Sequence, residues 1–560
     1  MLTAEELSLV PLFSTLSAVG LRELSKAAAD IHLETGEYAV HEGDEPALYI
    51  VLSGRVEITK FIDGVEQAIG KRLPGVVFGE VPVVYGTPFQ SSARAGEPTR
   101  ILRIGARQYH AVATASPEVA KAVGDLARER MSGLKDITAK AHESHVVLIG
   151  RDWDPASSEV RRFLARNQIA FDWLTPDDPD LASRWSDAPV GDCPAVRLPD
   201  GTSLLRPDLR TLATRLHLET MPRGTEYDTV IVGAGPAGLA AAVYGASEGL
   251  RTLVVEREAP GGQAGTSSRI ENYLGFPNGI SGDELASRAL RQARRLGAEI
   301  LITRSVARID LPSRSIFLDD GDAITARSII LATGVNWRRV PIEGFEGLIG
   351  KGIYYGAARS EAGITQGLDV HLIGAGNSAG QAAMFFANHA RTVTLLVRGG
   401  SLEKSMSQYL IDQIRRKSNI KVALRSEVQA VHGDQHLENI DIVNHASGIV
   451  RQEESGGLFV FIGADAETDW LPEDIARDQR GYILTGADLL KEPGWSERWF
   501  MAQGFTDTYR PPFLLETSVP GIFAAGDVRR STVKRCASAV GEGSMAIAFI
   551  HQFFQLAAQA

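Results

Sequence analysis

Two glycine fingerprints, Gly233-Ala-Gly235-Pro-Ala-Gly238 and Gly374-Ala-Gly376-Asn-Ser-Ala379, begin 141 residues apart and constrain the second half of this chain more than any other feature. Each follows a run of β-branched and aliphatic residues, Thr229-Val-Ile-Val232 and Val370-His-Leu-Ile373, and each opens into small residues suited to a closely packed helix. This strand-turn-helix context is what a dinucleotide-binding turn requires. Glycine lets the backbone approach a pyrophosphate, and the free N–H groups of the helix start, with the dipole behind them, favour its negative charge. Two such turns in series predict two Rossmann-like α/β domains and two dinucleotides, one to give electrons and one to take them.

The residue that ends the next strand sorts the two sites. Thr252-Leu-Val-Val255 ends at Glu256, 23 residues after Gly233, where a carboxylate can accept both ribose hydroxyls of an adenosine, as in FAD or NAD. Val393-Thr-Leu-Leu-Val397 ends instead at Arg398, with Lys404 soon after and no carboxylate at the strand end. A cation there suits a 2′-phosphate and favours NADPH. A tight turn without a ligand competes with this reading for either fingerprint alone; the pair in series, each with its expected strand-end residue, argues against it.

Residues 226–555 resemble the low-molecular-weight thioredoxin reductase family along their whole length. The stretches that carry the resemblance are the two fingerprints, Gly261-Gly-Gln-Ala with Glu271-Asn272, Leu331-Ala-Thr-Gly334, Phe461-Ile-Gly463, and Gly521-Ile-Phe-Ala-Ala-Gly-Asp527 followed by Arg535-Cys-Ala537. The resemblance implies that FAD is held by Gly233, Gly235, Pro236, Ala237, Gly238, Glu256, Gly262, Gln263, Asn272, Ala332, Thr333, Gly334, Gly526 and Asp527. The Arg535, Cys536 and Ala537 backbone would lie beside the flavin ring. It implies NADPH on Gly374, Gly376, Asn377, Ser378, Ala379 and Arg398, with Ile462 and Gly463 near the nicotinamide. The family's basic pair after the second strand is here Arg398-Gly399. A homodimer is expected, with the nicotinamide domain turning on connections near Val335 to Glu343 and Ala464 to Gly481.

The chain departs from the family at the position that decides the reaction. Where the family carries C-x-x-C-D, the sequence reads Ala357-Ala-Arg-Ser-Glu361, and the whole protein has two cysteines, Cys193 and Cys536. Disulfide exchange needs an attacking thiolate and a resolving thiol, which neither alanine nor serine supplies. The expected function is an NADPH-dependent FAD oxidoreductase that passes electrons to a quinone, an oxidant or a partner protein rather than to thioredoxin. Glu361 and Cys536 are the catalytic candidates near the flavin, Glu361 as a proton donor or as a solvated surface residue. Two alternatives stay open, a flavin-based redox sensor with little turnover and a cyclic-nucleotide-gated reductase.

At 560 residues the length suits about three to four domains. A net charge of -11 without a concentrated basic run argues against nucleic-acid and anionic-membrane partners. The start Met-Leu-Thr-Ala-Glu-Glu lacks the basic and apolar regions of a signal peptide, and no stretch approaches ~20 uninterrupted apolar residues. A cytoplasmic protein without a metal site is expected.

Short alternating segments separated by Gly and acidic turns, among them Ala47-Leu-Tyr-Ile-Val-Leu52 and Gly54-Arg-Val-Glu-Ile-Thr59, predict an N-terminal β-barrel with flanking helices over 1–138. The layout resembles a cyclic-nucleotide-binding domain, through Glu42-Gly-Asp44, Leu52-Ser-Gly54 and Phe78-Gly-Glu80. Glu80 is the effector candidate. The family's phosphate-clamping arginine is replaced by Phe89-Gln90, and Arg94 lies where strand alternation can turn it away. The barrel is therefore read either as a weak cyclic-nucleotide site or as a degenerate regulatory or docking module.

Residues 145–218 read as a compact α/β piece, with strands at Val146-Val-Leu-Ile149 and Ile169-Ala-Phe-Asp-Trp173 and helices at Glu159 to Asn167 and Pro207 to Leu218. Cys193-Pro194-Ala-Val196 and the Pro-Asp-Gly turn after it resemble the thioredoxin or glutaredoxin fold, with Asp152-Trp-Asp-Pro-Ala where a dithiol would stand. A docking or shielding role follows. The fold class is thus multidomain: the barrel, this thioredoxin-like segment, an FAD domain from 226–338 and 465–560, and an NADPH domain from 339–464. An aromatic stretch containing Trp495, Trp499, Phe500, Phe505, Tyr509 and Phe513 is either a lid or binding surface, or core packing over a sheet edge.

Overall fold

The computed structural model describes residues 3–559 except 43, 45, 63–64, 142–145, 268, 278, 357–364, 366, 496–498 and 500–509. The chain divides into two compact units, Met1–His145 and Val146–Ala560. Among the described residues no helix is long and apolar enough to cross a membrane.

In the first unit, alternation of apolar and polar residues along the strands gives two four-stranded antiparallel sheets in place of one continuous barrel wall. One sheet runs Ala29–Leu33, Thr99–Gly105, Ala47–Ser53, Val77–Phe78; the other runs Tyr38–Val40, Ser92–Ala95, Val56–Ile62, Val65–Arg72. Val40, Val51, Val56, Phe78, Phe89 and Ile101 pack into one core. A second core lies under the flanking helices, where Leu7, Phe13, Leu24, Val119 and Val123 cover Leu48, Ile50 and Leu102.

The second unit holds two largely parallel sheets whose central strands, among them Thr252–Val255 and Gly457–Val460, are apolar and buried on both faces as helix-covered parallel strands are. In the first, Glu299–Leu301, Thr252–Val255, Glu226–Val232 and Ala323–Leu331 run side by side, Ile522–Ala524 joins the last of them, and an antiparallel extension adds Ser315–Leu318 and Val306–Asp310. The second has the order Ile353–Tyr355, Gly457–Val460, Asp369–Ile373, Thr392–Val397, Ile420–Leu424, all parallel. A separate antiparallel sheet of Ser426–His432, Asn439–Asn444 and Val450–Glu454 accompanies it.

The C-terminal helix Cys536–Gln559 lies against Pro236–Ser247 through small residues, since a Cβ on Gly543 would stand 2.1 Å from the Ala237 carbonyl oxygen. This close crossing brings the start of the last helix to the first fingerprint. The two chain segments that join the Rossmann sheets also pair with each other, Asn336 opposite Asp465 and Trp337 opposite Ala464. Arg338 locks that ladder with a two-pronged bond to Asp465 at 3.0 and 2.7 Å.

Ahead of these sheets, Phe171–Leu174, Val146–Ile149, Ala195–Arg197 and Ser203–Leu205 form a four-stranded sheet whose first two strands are parallel and the rest antiparallel. The helix packed on it runs Pro155–Arg166, four residues earlier than the apolar periodicity indicated, because Asp154 caps it by accepting from Ser157 N at 2.8 Å and Pro155 takes the first position. Leu148, Phe163, Val196 and Leu212 of this piece share one continuous core with Ile231, Leu290 and Ile300 of the first Rossmann sheet.

Of the two readings of the aromatic stretch, core packing holds for its described part. Trp495 and Trp499 are buried with Leu484 and Leu489, and Phe513 stacks on Phe549. Arg510 anchors the segment by a two-pronged bond to the fully buried Glu516 at 2.6 and 2.8 Å. Phe500, Phe505 and Tyr509 lie outside the described residues.

Candidate dinucleotide sites

The glycines of the first turn answer to different constraints. Gly233 sits at φ +102°, and a Cβ there would come 2.5 Å from the Ala332 carbonyl oxygen; one on Gly238 would come 1.9 Å from that of Gly233. The fold itself demands both. Gly235 has φ -70° and ψ -175°, open to any residue, and its Cβ would meet only Gly262 Cα at 4.0 Å. Among the described residues nothing explains its missing side chain, so the space over Gly235, beside Gly262 and at the start of the Pro236–Ser247 helix, is a cradle that a Cβ would fill. Ala237 is buried behind it.

Around this cradle stand acceptors for hydroxyl groups. Glu256 is 7% exposed; one carboxylate oxygen accepts from Ala234 N at 2.8 Å, the other from Glu258 N at 3.0 Å, and burial pushes its pKa up. Each oxygen keeps a free lone pair. Asp527 is half-buried, no hydrogen bond to its carboxylate is recorded among the described residues, and burial raises its pKa too. Glu542 fixes the loop beneath it by accepting from Gly526 N at 2.7 Å and pairing with Arg529 at 2.6 Å. Gln263 donates to the Val335 carbonyl, Ala332 is buried, Thr333 is half-buried, and Gly334 at φ +66° faces open space. Asn272, Arg535 and Ala537 are exposed. Cys536 is the first residue of the last helix, and burial with Asp527 nearby pushes its thiol up to about 11. The donor set and the cradle fit FAD.

The second turn repeats the pattern. Gly374, at φ +148°, would place a Cβ 2.6 Å from the Phe461 carbonyl oxygen, and Ala379 is fully buried, so both belong to the packing. Gly376 again faces open space, with Ser405 O at 4.0 Å. Asn377 accepts from Ser407 N at 2.7 Å and Ser405 donates to Ala375 O at 2.8 Å, which ties the turn to the loop after Arg398. Ser378 and Arg398 are exposed, and no ion pair to Arg398 is recorded among the described residues. Gly463 (φ +91°) and Ile462 accept from Arg338 at the domain connection. These residues fit a phosphorylated dinucleotide.

The two sites face each other. Ser378, Gln381 and Ala382 on the second-fingerprint helix look across a narrow gap at Gln263, Thr266 and Arg269, with Trp337 and Phe461 at its base. Tyr409 lies between Gln381 on its own side and Glu271 on the other, and burial pushes its phenol up. Glu361 lies outside the described residues, as do Ala357 and Ser360.

In the first unit, Glu80 is buried and bound by Arg130 at 2.9 Å, with its second oxygen unpartnered. Phe89, at the expected arginine position, is buried edge-on against Tyr49. Arg94 points outward to Glu66 and Glu57 at 3.2 and 3.5 Å, so it brings no charge to Glu80.

Fold and sites together fit an FAD-dependent NAD(P)H oxidoreductase carrying a further N-terminal domain. Residues 227–494 match the family of pyridine nucleotide-disulphide oxidoreductases, and residues 30–115 match the cyclic nucleotide-binding domain. The chain is 32% identical to the 34.2 kDa protein in the rubredoxin operon of Clostridium pasteurianum, over 58% of this chain and 96% of that one. It is 32% identical to the thioredoxin reductase of Treponema pallidum, over 58% and 95%. The crystal structure of Lactococcus lactis thioredoxin reductase superposes with a TM-score of 0.50 at 29% identity, covering 58% of this chain and 98% of that one. Through its C-terminal part this chain belongs to the thioredoxin reductase family, whose cofactors are FAD and NADPH.

Proposed function

We propose that the protein oxidises NADPH and delivers the electrons to an acceptor other than thioredoxin, a quinone, an oxidant or a partner protein. The observation that carries this reading is the sequence Ala357-Ala-Arg-Ser360 at the family's dithiol position, in a chain whose only two thiols, Cys193 and Cys536, are both free and lie far apart in the sequence. FAD, when bound, accepts a hydride equivalent and releases electrons onward. Gly235, Gly262 and the first helix start hold its pyrophosphate, Glu256 the ribose, Asp527 the ribitol, and the start of the Cys536 helix lies beside the ring. Gly376 and its helix start hold the pyrophosphate of NADPH, and Arg398 its 2′-phosphate. The donor domain spans 339–464, the flavin domain 226–338 and 465–560.

The segment 145–218 is thioredoxin-like in strand order and, without a dithiol, serves as a structural module. The first domain, 1–138, regulates or docks; Phe89 in its core and the outward Arg94 disfavour a tightly held cyclic phosphate. The purified protein, assayed with NADPH, should reduce quinones or dyes catalytically and a panel of thioredoxins no faster than free flavin does. Thioredoxin turnover that vanishes in Cys536→Ser or Cys193→Ser would refute the reading.

A further inference from the structure

The thioredoxin-like module is fastened to both Rossmann domains, and by different means. Its grip on the first is broad: beyond the common core, Arg166 donates to the Ala259 and Gly262 carbonyls and pairs with Glu258, and Arg210 donates to Thr303 O at 2.8 Å. Among the described residues its contacts with the second gather at one corner, through Trp153 and Pro155. Trp153 stacks on His436 with ring centroids 5.7 Å apart and planes 24° from parallel, and packs at the edge of the core built from Phe386, Leu395 and Leu410. Beside it, Pro155 lies 3.2 Å from where a Cβ on Gly350 would stand. His436 belongs to the turn between Ser426–His432 and Asn439–Asn444.

Trp153 is a bulky residue held at φ +63°. An indole in the left-handed region is a costly conformation that persists only where the surroundings over-determine it. Here a local turn, closed by Asp154 N donating to the Arg151 carbonyl at 3.3 Å, and the His436 ring of the neighbouring domain hold it together. The turn that carries it, Asp152-Trp153-Asp154-Pro155, occupies the strand-to-helix corner of the module, so the corner is spent on holding a neighbour.

The second Rossmann domain is tied to the first by the two-strand ladder at Asn336–Trp337 and Ala464–Asp465, a natural pivot. A contact at His436, which belongs to the separate antiparallel sheet's turn and not to that ladder, gives the domain a second attachment that resists rotation about it. In the orientation held, the second fingerprint helix faces the Gln263–Arg269 loop across the gap.

We propose that Trp153 is a positioning residue for flavin reduction: stacked on His436, it braces the NADPH domain in the orientation that points its nucleotide turn toward the flavin side. This rests on the assignment of the two dinucleotide sites under Proposed function. A family whose donor domain swings to serve a dithiol has here a chain without the dithiol and with an added brace.

The test uses the full chain with its flavin. Trp153→Gly removes the ring and suits the backbone at that position; His436→Ala removes the partner ring without touching a strained residue. Three quantities are measured for each single variant and the double: the rate of flavin bleaching by saturating NADPH, the dissociation constant of NADP⁺, and hydrogen exchange in residues 335–343 and 464–481. Each single variant should bleach roughly three- to ten-fold more slowly, the range an aromatic pair supports. Exchange in both connections should rise, NADP⁺ affinity should hold, and Trp153→Phe should restore the rate. The double variant should be no slower than the slower single, because both remove one contact. Single effects that multiply in the double, or exchange that does not change, would overturn the proposal. Failure of NADPH to bleach the unmodified protein would refute the site assignment instead.

Discussion

Replacing Gly235 with valine separates the ligand's demands from those of the fold. Valine can adopt φ -70°, and the only protein atom near its Cβ is Gly262 Cα at 4.0 Å. The apo fold should therefore lose no more than about 1 kcal/mol, the cost of a poor residue at a helix N-cap. The pyrophosphate pays far more, because the Cβ and two methyl groups stand between it and the N–H groups of the helix start. Loss of two charge-assisted hydrogen bonds at about 1.5–3 kcal/mol each amounts to about 3–6 kcal/mol, roughly two to four orders of magnitude in affinity. Gly235→Val should purify folded and colourless. Gly238→Ala is the contrasting case, since its Cβ would stand 1.9 Å from the Gly233 carbonyl oxygen, and it should lose thermal stability itself. The assay is flavin per chain by absorbance, with thermal unfolding of apo-protein beside it. Stoichiometric flavin in Gly235→Val would refute the placement of the pyrophosphate.

Arg398→Ala should erode the preference for NADPH over NADH about ten-fold or more, the worth of one charge-assisted contact, as read from kcat/KM for the two nucleotides; equal use of both by the unmodified protein would count against it. Cys536 should alkylate about a hundred-fold more slowly in the apo-protein than an open thiol at pH ~8, because burial moves it from 9.0 to about 11. The same shift has a sign for stability: the folded state holds the proton longer than the unfolded chain, so this contribution is complete below about pH 9 and is lost as pH rises through about 11, a slope that Cys536→Ser should remove. Calorimetry should find cyclic AMP and cyclic GMP bound no more tightly than micromolar, and Phe89→Arg should tighten them; submicromolar binding that alters turnover would make the protein a cyclic-nucleotide-gated reductase.

Both nucleotide turns were legible because their signals are local. A strand, a glycine that must adopt positive φ and a strand-end charge lie within about thirty residues, and the structure builds a strand-turn-helix corner at Gly233 and at Gly374, with Glu256 and Arg398 directly after the next strand in each. Alternation along Ser92–Ala95 likewise foretold that Arg94 would turn away from Glu80. What sequence could not supply was the use each exposed corner is put to. Trp153 and Arg166 look like ordinary surface residues of a small α/β piece, and their partners His436 and Glu258 are remote in the chain. The start of the Pro155–Arg166 helix was recoverable, from Asp154 as cap and Pro155 at the first position, but apolar periodicity outweighed that signal. The aromatic stretch was ambiguous because no periodicity marks which way it turns, and only its packing on Leu484 and Leu489 decides that Trp495 and Trp499 are buried.

The core that residues 146–218 share with the first Rossmann domain sets where this protein can be cut. Arg304, 2% exposed, donates to the carbonyl of Thr220 at 2.7 Å, and Ile302 N donates to that of Glu219 at 2.9 Å. A fragment beginning at the first fingerprint would strip both acceptors, leave a guanidinium buried without one of its partners, and open Ile300 and Leu290 to water. The smallest self-standing flavoprotein within this chain therefore begins near Val146, 87 residues ahead of the first glycine of its nucleotide turn. Insertions, fusions and truncations that treat residue 226 as a boundary should yield aggregates, whereas those placed ahead of Val146 should yield soluble yellow protein.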